Sequence, residues 1–289
     1  AHRRKWYDPP NGRKIHTGLI PRLGGLGMFV SFLPAAAVTP PLVALLSGGR
    51  LALAWELRYL PLLLGIGLVH AVGLFDDFHS LAALPKFGLQ VLAAAIITSG
   101  GFLIRSITIP YVGVLRLGMF AYPLTVFWIV AISNALNLID GLDGLAGGIA
   151  AFACLFMGAI ALIQGANMTA VACFALLGAT VGFLAFNLPP ARIFMGDSGS
   201  LFLGFTLAVL PLMGGMSKAS AFGTLLVPIT LLTVPILDTF TAIVRRLRKG
   251  ISIIQPDKEH IHHKLLAMGL SERQILGLLY GFSVYLGVV

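Results

Sequence analysis

Residues 122–148 read YPLTVFWIVAISNALNLIDGLDGLAGG. Residues 122–133 carry no charge. Asn134, Asn137, Asp140 and Asp143 then recur every three positions, with Gly141 and Gly144 beside the aspartates. A step of three turns an α-helix by about 300°, so Asn134 and Asp143 would sit half a turn apart on one straight helix. The four polar residues cannot share one face of a continuous helix. The stretch therefore predicts a break: a helix from 119 that ends close to Asp140, and a second that starts close to Asp143. The amides then lie slightly inside an apolar layer and the carboxylates at its edge.

The rest of the chain supports that layer. Of its 289 residues, 57% are hydrophobic and 11% are charged, against about 25% charged in soluble domains. The class is an all-α polytopic membrane protein. Apolar segments long enough to span lie near 23–47, 57–75, 86–104, 119–139, 144–164, 168–188, 200–217 and 221–244, with a truncated one at 275–289. That gives about nine helices in one transmembrane domain covering 1–289. The chain starts AHRRKWYDPP without a Met, and its last segment stops short of a span, so it reads as part of a longer protein. No signal or transit peptide, internal repeat or Cys-based metal site is visible. Cys154 and Cys173 fall inside apolar runs and read as small core residues.

Alternating spans put the N-terminal segment 1–22, the loop 76–85, the turn 140–143, the loop 189–199 and the segment 245–274 on one side. Of twenty Lys and Arg, only Arg50, Arg58, Arg105, Arg116 and Lys218 fall on the other. The positive-inside rule makes the first side cytoplasmic. The net charge of +9 is then a topology signal, helped by attraction to anionic headgroups. Nucleic-acid binding is a poor explanation of the charge, since no matching module is visible.

The acids follow the same side without having been used to draw it. Of eleven Asp and Glu, only Glu56 lies opposite. Asp76 and Asp77 stand in GLFDDFHS, Asp140 and Asp143 in the quoted stretch, and Asp197 in FMGDSGS. PDKEHIHHKL adds His260, His262 and His263. Four polar clusters from four loops on one face form the pattern of an active site. Asp197 or Ser198 could simply cap the following helix. In a Gly-flanked loop, however, a carboxylate can also meet phosphate or Mg²⁺, which takes one or two carboxylates plus phosphate oxygens. Adjacent Asp76 and Asp77 diverge by about 100° on a helix, so one can face a reactant while the other is held by hydrogen bonds. The histidines suit proton transfer or phosphate contact. Inside the spans, His70 reads as a core residue. Asp238, seven residues before Arg245, reads as a structural polar contact, because an acid there needs a partner.

Taken in order, DPPNGRKIHTGLIPRLGG (8–25), GLFDD (73–77), NALNLIDGLDGLAGG (134–148), FNLPPARIFMGDSGSLFLG (186–204) and PDKEHIHHKLLAMG (256–269) resemble the polyprenyl-phosphate N-acetylhexosamine-1-phosphate transferases. That family includes bacterial undecaprenyl-phosphate N-acetylglucosamine-1-phosphate transferases and the phospho-N-acetylmuramoyl-pentapeptide transferase. The resemblance covers nearly the whole chain. It implies about eleven spans in a full protein of the cell membrane, with the active site on the cytoplasmic face. The implied reaction transfers N-acetylglucosamine-1-phosphate from UDP-N-acetylglucosamine to undecaprenyl phosphate. UMP is released, Mg²⁺ (or Mn²⁺ in its place) is the cofactor, and the product enters a cell-envelope glycan pathway such as teichoic acid or lipopolysaccharide.

By the same resemblance Asp197 binds the metal, and Asp76 and Asp77 handle the lipid phosphate. Asn134, Asn137 and Asp140 shape the pyrophosphate and metal site. Gly141, Leu142 and Asp143 line the uridine pocket, Phe194 stacks on uracil, and Asn187 and Lys86 touch substrate. His260, His262 and His263 contact phosphate or sugar. H-I-H-H after PDKE, and IPRLGG where the pentapeptide transferase has TPTMGG, look like the N-acetylglucosamine type. A UDP-N-acetylmuramoyl-pentapeptide donor is the alternative within the family. A secondary transporter is the alternative outside it, disfavoured because the acids cluster at one interface and not at the bilayer midplane. A homodimer is implied by likeness to the pentapeptide transferase.

Overall fold

The computed structural model describes residues 20–48, 56–109, 113–214, 228–250 and 260–288, without the side chains of Ile109 and His262. Most of the N-terminal motif, the PDKE run and residues 221–227 of the expected eighth span therefore lie outside the described residues. The elements are helices α1 (Gly24–Leu46), α2 (Leu60–His79), α3 (Ala83–Ser99), α4 (Ala121–Ile139), α5 (Leu145–Ile163), α6 (Asn167–Asn187), α7 (Gly196–Met213), α8 (Thr233–Arg248), α9 (Ile261–Ala267) and α10 (Glu272–Val288). An antiparallel hairpin, β1 (Ser106–Ile109) with β2 (Gly113–Arg116), joins α3 to α4.

Among the described residues, six helices are long and apolar enough to cross a membrane: α1, α2, α4, α5, α6 and α7, with α2 and α4 extended by short leading turns. The apolar α3 is shorter. Two boundaries differ from those the sequence predicts. The described part of the eighth segment, α8, is amphipathic and runs on to Arg248 instead of stopping at 244. The segment 245–274 is not all loop, since it holds α9 and the start of α10. Two paired strands stand where the sequence predicts a plain outer loop.

Helix α7 is the hub. It packs against α2, α4 and α1, and 83% of its best apolar window is buried, so lipid contact falls to the helices around it. Phe202 and Phe205 are fully buried there. Within an apolar layer such burial stabilises through close packing and not through escape from water. Cys154 and Cys173 are buried and unbridged, as their apolar setting implies.

The break in the quoted stretch falls where the period of three put it. Helix α4 ends at Ile139 and α5 begins at Leu145. Gly144 adopts φ +80° at the junction, a conformation that favours glycine. Tyr280 of α10 donates its hydroxyl to the Gly144 carbonyl at 2.5 Å, which ties the last helix to this turn.

Candidate active site

The acids gather where α2 ends, α3 and α7 begin, and α4 turns into α5. Two loops are tighter than expected. Helix α2 continues to His79, so Asp76 and Asp77 occupy its last turns and not a loop. Helix α7 begins at Gly196, so Asp197 lies in its first turn.

These boundaries decide what each carboxylate does. Asp77 Oδ1 accepts the Asp197 N–H at 2.7 Å and its Oδ2 accepts the Ser198 N–H at 3.0 Å. The first N–H groups of a helix have no partner within it, and α7 has no side-chain cap of its own. Asp77 therefore caps α7 from another helix. Two glycines permit this approach. A Cβ on Gly73 would lie 2.5 Å from the Asp197 carbonyl oxygen. A Cβ on Gly196, whose φ is +69°, would lie 2.6 Å from Asp77 Oδ2. One turn-pair deeper, His70 Nδ1 hydrogen-bonds the Ser198 carbonyl at 3.1 Å and its ring stacks on Phe29. His70 is buried as expected, but its Nε2 has no partner among the described residues.

Asp76 points elsewhere. Its Oδ2 pairs with Lys86 Nζ at 2.9 Å, and its Oδ1 accepts the Leu81 N–H. Lys86 also pairs with Asp197 Oδ2. The ammonium thus bridges two carboxylates from α2 and α7. Asn137 completes the unit: its amide donates to Asp197 Oδ1 at 3.1 Å and to Ser200 Oγ at 2.8 Å. Asp76, Lys86, Asn137 and Asp197 are brought together as one cluster. Ser200, three residues after Asp197 and so on the same helix face, was not singled out in the sequence.

Asp140 and Asp143 part ways. Asp143 Oδ2 accepts the Ala191 N–H at 2.8 Å and so holds the loop 188–195. The Asp140 carboxyl is pushed up to about 7, first by burial and then by the charges of Asp197, Asp77 and Asp143, with Arg22 opposing. It belongs electrostatically to the acid cluster. A carboxyl raised in the folded state holds its proton while the unfolded chain has lost it. The cost is absent below about pH 4, grows through the window up to about pH 7, and is complete above it. Asp140→Asn should therefore raise the melting temperature of the cation-free protein at pH 8, by several degrees more than at pH 5. An equal gain at both pH values in thermal unfolding would refute the assignment.

Asn187, expected as a substrate contact, is held here by the backbone. It is buried, and each end of its amide bonds to backbone: Oδ1 accepts the Gly144 N–H at 2.9 Å and Nδ2 donates to the Ile193 carbonyl at 2.8 Å. It clamps the α4–α5 turn to the 188–195 loop. Asn134 gives its amide to Gln90 at 2.5 Å and to the Val130 carbonyl of its own helix; its contact is with α3 and not with an acid. Gly141 is exposed and Leu142 buried in the turn itself. Phe194 is held at its backbone, its N–H on the Pro21 carbonyl and its carbonyl on the Gly24 N–H, both at 2.9 Å. That pairing seats Arg22 beside the site.

The histidines form a second polar unit. His260 Nδ1 lies 2.6 Å from Asp238 Oδ2, and Asp238 Oδ1 accepts the Ile261 N–H at 2.8 Å. His263 follows on α9, and the side chain of His262 lies outside the described residues. Asp238 is the structural contact its position called for, with a partner on another element that sequence spacing could not reveal. An apolar cavity of about 820 Å³ between α1 and α6, lined by Met28, Ser31, Ala175 and Gly178, holds none of these groups, so the polar chemistry sits at the helix ends.

The chain is similar to known proteins along most of its length. The sequence profile of glycosyl transferase family 4 matches residues 59–215. The chain is 39% identical over 274 residues to a probable undecaprenyl-phosphate N-acetylglucosaminyl 1-phosphate transferase of Bacillus subtilis (strain 168), covering 94% of this chain and 73% of that protein. It is 35% identical to a decaprenyl-phosphate N-acetylglucosaminephosphotransferase of Mycolicibacterium smegmatis, covering 97% and 72%. It is 30% identical to an undecaprenyl-phosphate alpha-N-acetylglucosaminyl 1-phosphate transferase of Escherichia coli (strain K12), covering 92% and 71%.

Proposed function

The chain belongs to glycosyl transferase family 4, and from that premise we propose that it transfers N-acetylglucosamine-1-phosphate from UDP-N-acetylglucosamine to a polyprenyl phosphate, releasing UMP. The observation that carries this reading is the bridge Asp76–Lys86–Asp197, braced by Asn137. It is a compact set of oxygen donors around one cation, at the ends of apolar helices. The names of the relatives support the sugar and the lipid. The charge asymmetry of the loops supports a cytoplasmic active site, and the family resemblance supports a cell-membrane protein with about eleven spans at full length. A homodimer remains part of the proposal by likeness to the pentapeptide transferase, and the mass of the detergent-solubilised particle tests it.

The chemistry follows from charge. One oxygen of the lipid phosphate bonds to the β-phosphorus of the UDP-sugar, and the bond from that phosphorus to the bridging oxygen breaks. UMP leaves with the bridging oxygen and its electron pair. Both reactants are anions, so positioning and neutralisation do most of the work. Lys86 supplies one positive charge where Asp76 and Asp197 converge. Asn137 fixes the carboxylate of Asp197, and Asp77 fixes the peptide that carries it. Asp143 and Asn187 hold the 188–195 loop against the α4–α5 turn, which would set the wall of a nucleoside pocket with Phe194 at its lip.

Mg²⁺ fits this donor set. Among the described residues no cluster of three or more acidic, His or Cys side chains stands ready for a metal. Mg²⁺ asks for one or two carboxylates plus phosphate oxygens, and Asp197 and Asp76 are the two that converge. When bound, the ion would neutralise phosphate oxygens in the way Lys86 does from its own side.

The test is UMP release by purified protein with a panel of UDP-sugars. Turnover is expected with UDP-N-acetylglucosamine, dependent on both a divalent cation and a polyprenyl phosphate. If no UDP-N-acetylhexosamine yields UMP, the transferase reading is wrong. Turnover with UDP-N-acetylmuramoyl-pentapeptide alone would move the chain to the other branch of the family.

A further inference from the structure

Ser200 takes no part in the chemistry above, yet it is fully buried and bonded to a member of the acid cluster. It stands three residues after Asp197 on α7 and so on the same helix face. Its hydroxyl has one proton, and that proton goes to the Gly196 carbonyl one turn back, at 3.0 Å. Toward α4 the oxygen can then only accept, and it accepts from Asn137 Nδ2 at 2.8 Å. The same Nδ2 donates to Asp197 Oδ1 at 3.1 Å. The two ends of an amide are alike in shape, so its partners decide which is which. Here a carboxylate paired with Lys86 and a hydroxyl whose proton is committed both face one end, and that end has to be the NH₂. A flipped amide would set its oxygen against Asp197. Thr180, Thr206 and Ser283 make the same bond to the carbonyl four residues back. Among the described residues none of those three accepts from another helix, and Ser200 does.

We propose that Ser200 is a positioning residue of the transferase site: it seats the Asn137 amide, and through it holds Asp197 with Oδ1 tied down and Oδ2 turned toward Lys86 and a divalent cation. The inference rests on the transferase reading and extends it to a side chain that acts only through another. The geometry supports the order of the relay. The bond from Asn137 to Ser200 is the shorter of its two. Ser200 is anchored in turn to Gly196, the residue that opens α7 and precedes Asp197. With Oδ1 on Asn137 and Oδ2 on Lys86, the carboxylate keeps one rotamer before any cation arrives. Outer hydrogen bonds that orient a ligand are worth about 10–100-fold in metal affinity or activity.

Ser200→Ala removes the acceptor and leaves a residue that suits a helix interior. In the full chain, the Mg²⁺ concentration for half-maximal UMP release is expected to rise about 10–100-fold. KM for the UDP-sugar at saturating Mg²⁺ should move less than about 3-fold. The Mg²⁺ concentration that gives half of the rise in melting temperature should shift by the same factor as the first midpoint, a readout that needs no turnover. In an Asn137→Ala background, Ser200→Ala should move neither midpoint further, because Ser200 acts through the amide. Midpoints that rise again in the double variant overturn the inference. So do midpoints that stay at their wild-type values in Ser200→Ala, whatever happens to its melting temperature without Mg²⁺, and so does a wild type whose melting temperature ignores Mg²⁺. A wild type without UMP release overturns the transferase reading instead, and the thermal titrations still decide the relay. If Ser200→Ala does not fold, Ser200→Cys takes its place: sulfur is a weak acceptor, so both midpoints should rise there too, and unchanged midpoints overturn the inference.

Discussion

Asp197→Asn is expected to cut UMP release by about 10³-fold while leaving the fold intact. Asp197 is the point where Lys86, Asn137 and the start of α7 converge. The substitution keeps an oxygen for Asn137 and changes no backbone contact. It loses the ion pair with Lys86. Lys86 retains Asp76 at 2.9 Å, and the Asp197 side chain is 31% exposed, so the stability change should stay within about 1 kcal/mol. Removing one negative charge also relieves the neighbouring Asp140. The catalytic loss arises because an amide oxygen is a far weaker ligand for a hard divalent cation than a carboxylate. Single preorganised electrostatic contacts are worth about 10²–10³-fold. A second readout needs no turnover. Mg²⁺ should raise the melting temperature of the wild type, since a ligand that binds only the folded state stabilises it, and the rise should shrink or vanish in the variant. Near-normal turnover, or an undiminished thermal response to Mg²⁺, would refute the metal role of Asp197.

The quoted stretch shows which structural facts a sequence can carry. The break between Ile139 and Leu145 was legible because helical geometry forbids a period of three on one face. The one-sided placement of acids was legible because few charges enter apolar spans at all. The same reasoning fails for contacts that depend on how helices cross. Asp76 and Asp77 are chemically identical neighbours, and divergence by a third of a turn says that they separate without saying which goes where. That choice is made by Gly73 and Gly196, which let α2 close onto the start of α7. Asn187 stands in a motif that suggests a substrate contact, and its two backbone partners, brought near only by the fold, are not readable from that motif. Asp238 and His260 lie on different elements joined by residues 249–259, and nothing in their local patterns links them. The apolar first residues of α8 read as the end of a span. Its lower half is amphipathic, and Arg246 is buried, which a hydropathy window averages away.

The cap on α7 sets the second large expectation. Asp77→Ala should destabilise the protein by about 2–4 kcal/mol. Two N–H groups at 2.7 and 3.0 Å would lose a charged acceptor in a part-buried junction. Loss of a helix cap alone costs about 0.5–2 kcal/mol, and an orphaned buried donor about 1–3 kcal/mol. Water cannot easily substitute, since Gly73 already packs its helix onto the Asp197 carbonyl. Asp76→Asn is the contrasting variant. It keeps an oxygen for the Leu81 N–H and loses only the charge facing Lys86, so its melting temperature should stay close to wild type while turnover falls at least 100-fold. Unfolding midpoints and UMP release, measured on the same detergent preparations, separate the two roles. If Asp77→Ala unfolds like the wild type and loses only turnover, Asp77 is a reacting group and not the cap of α7. The adjacent aspartates would then share the substrate, and the division between a carboxylate that builds the site and one that works in it would have to be abandoned.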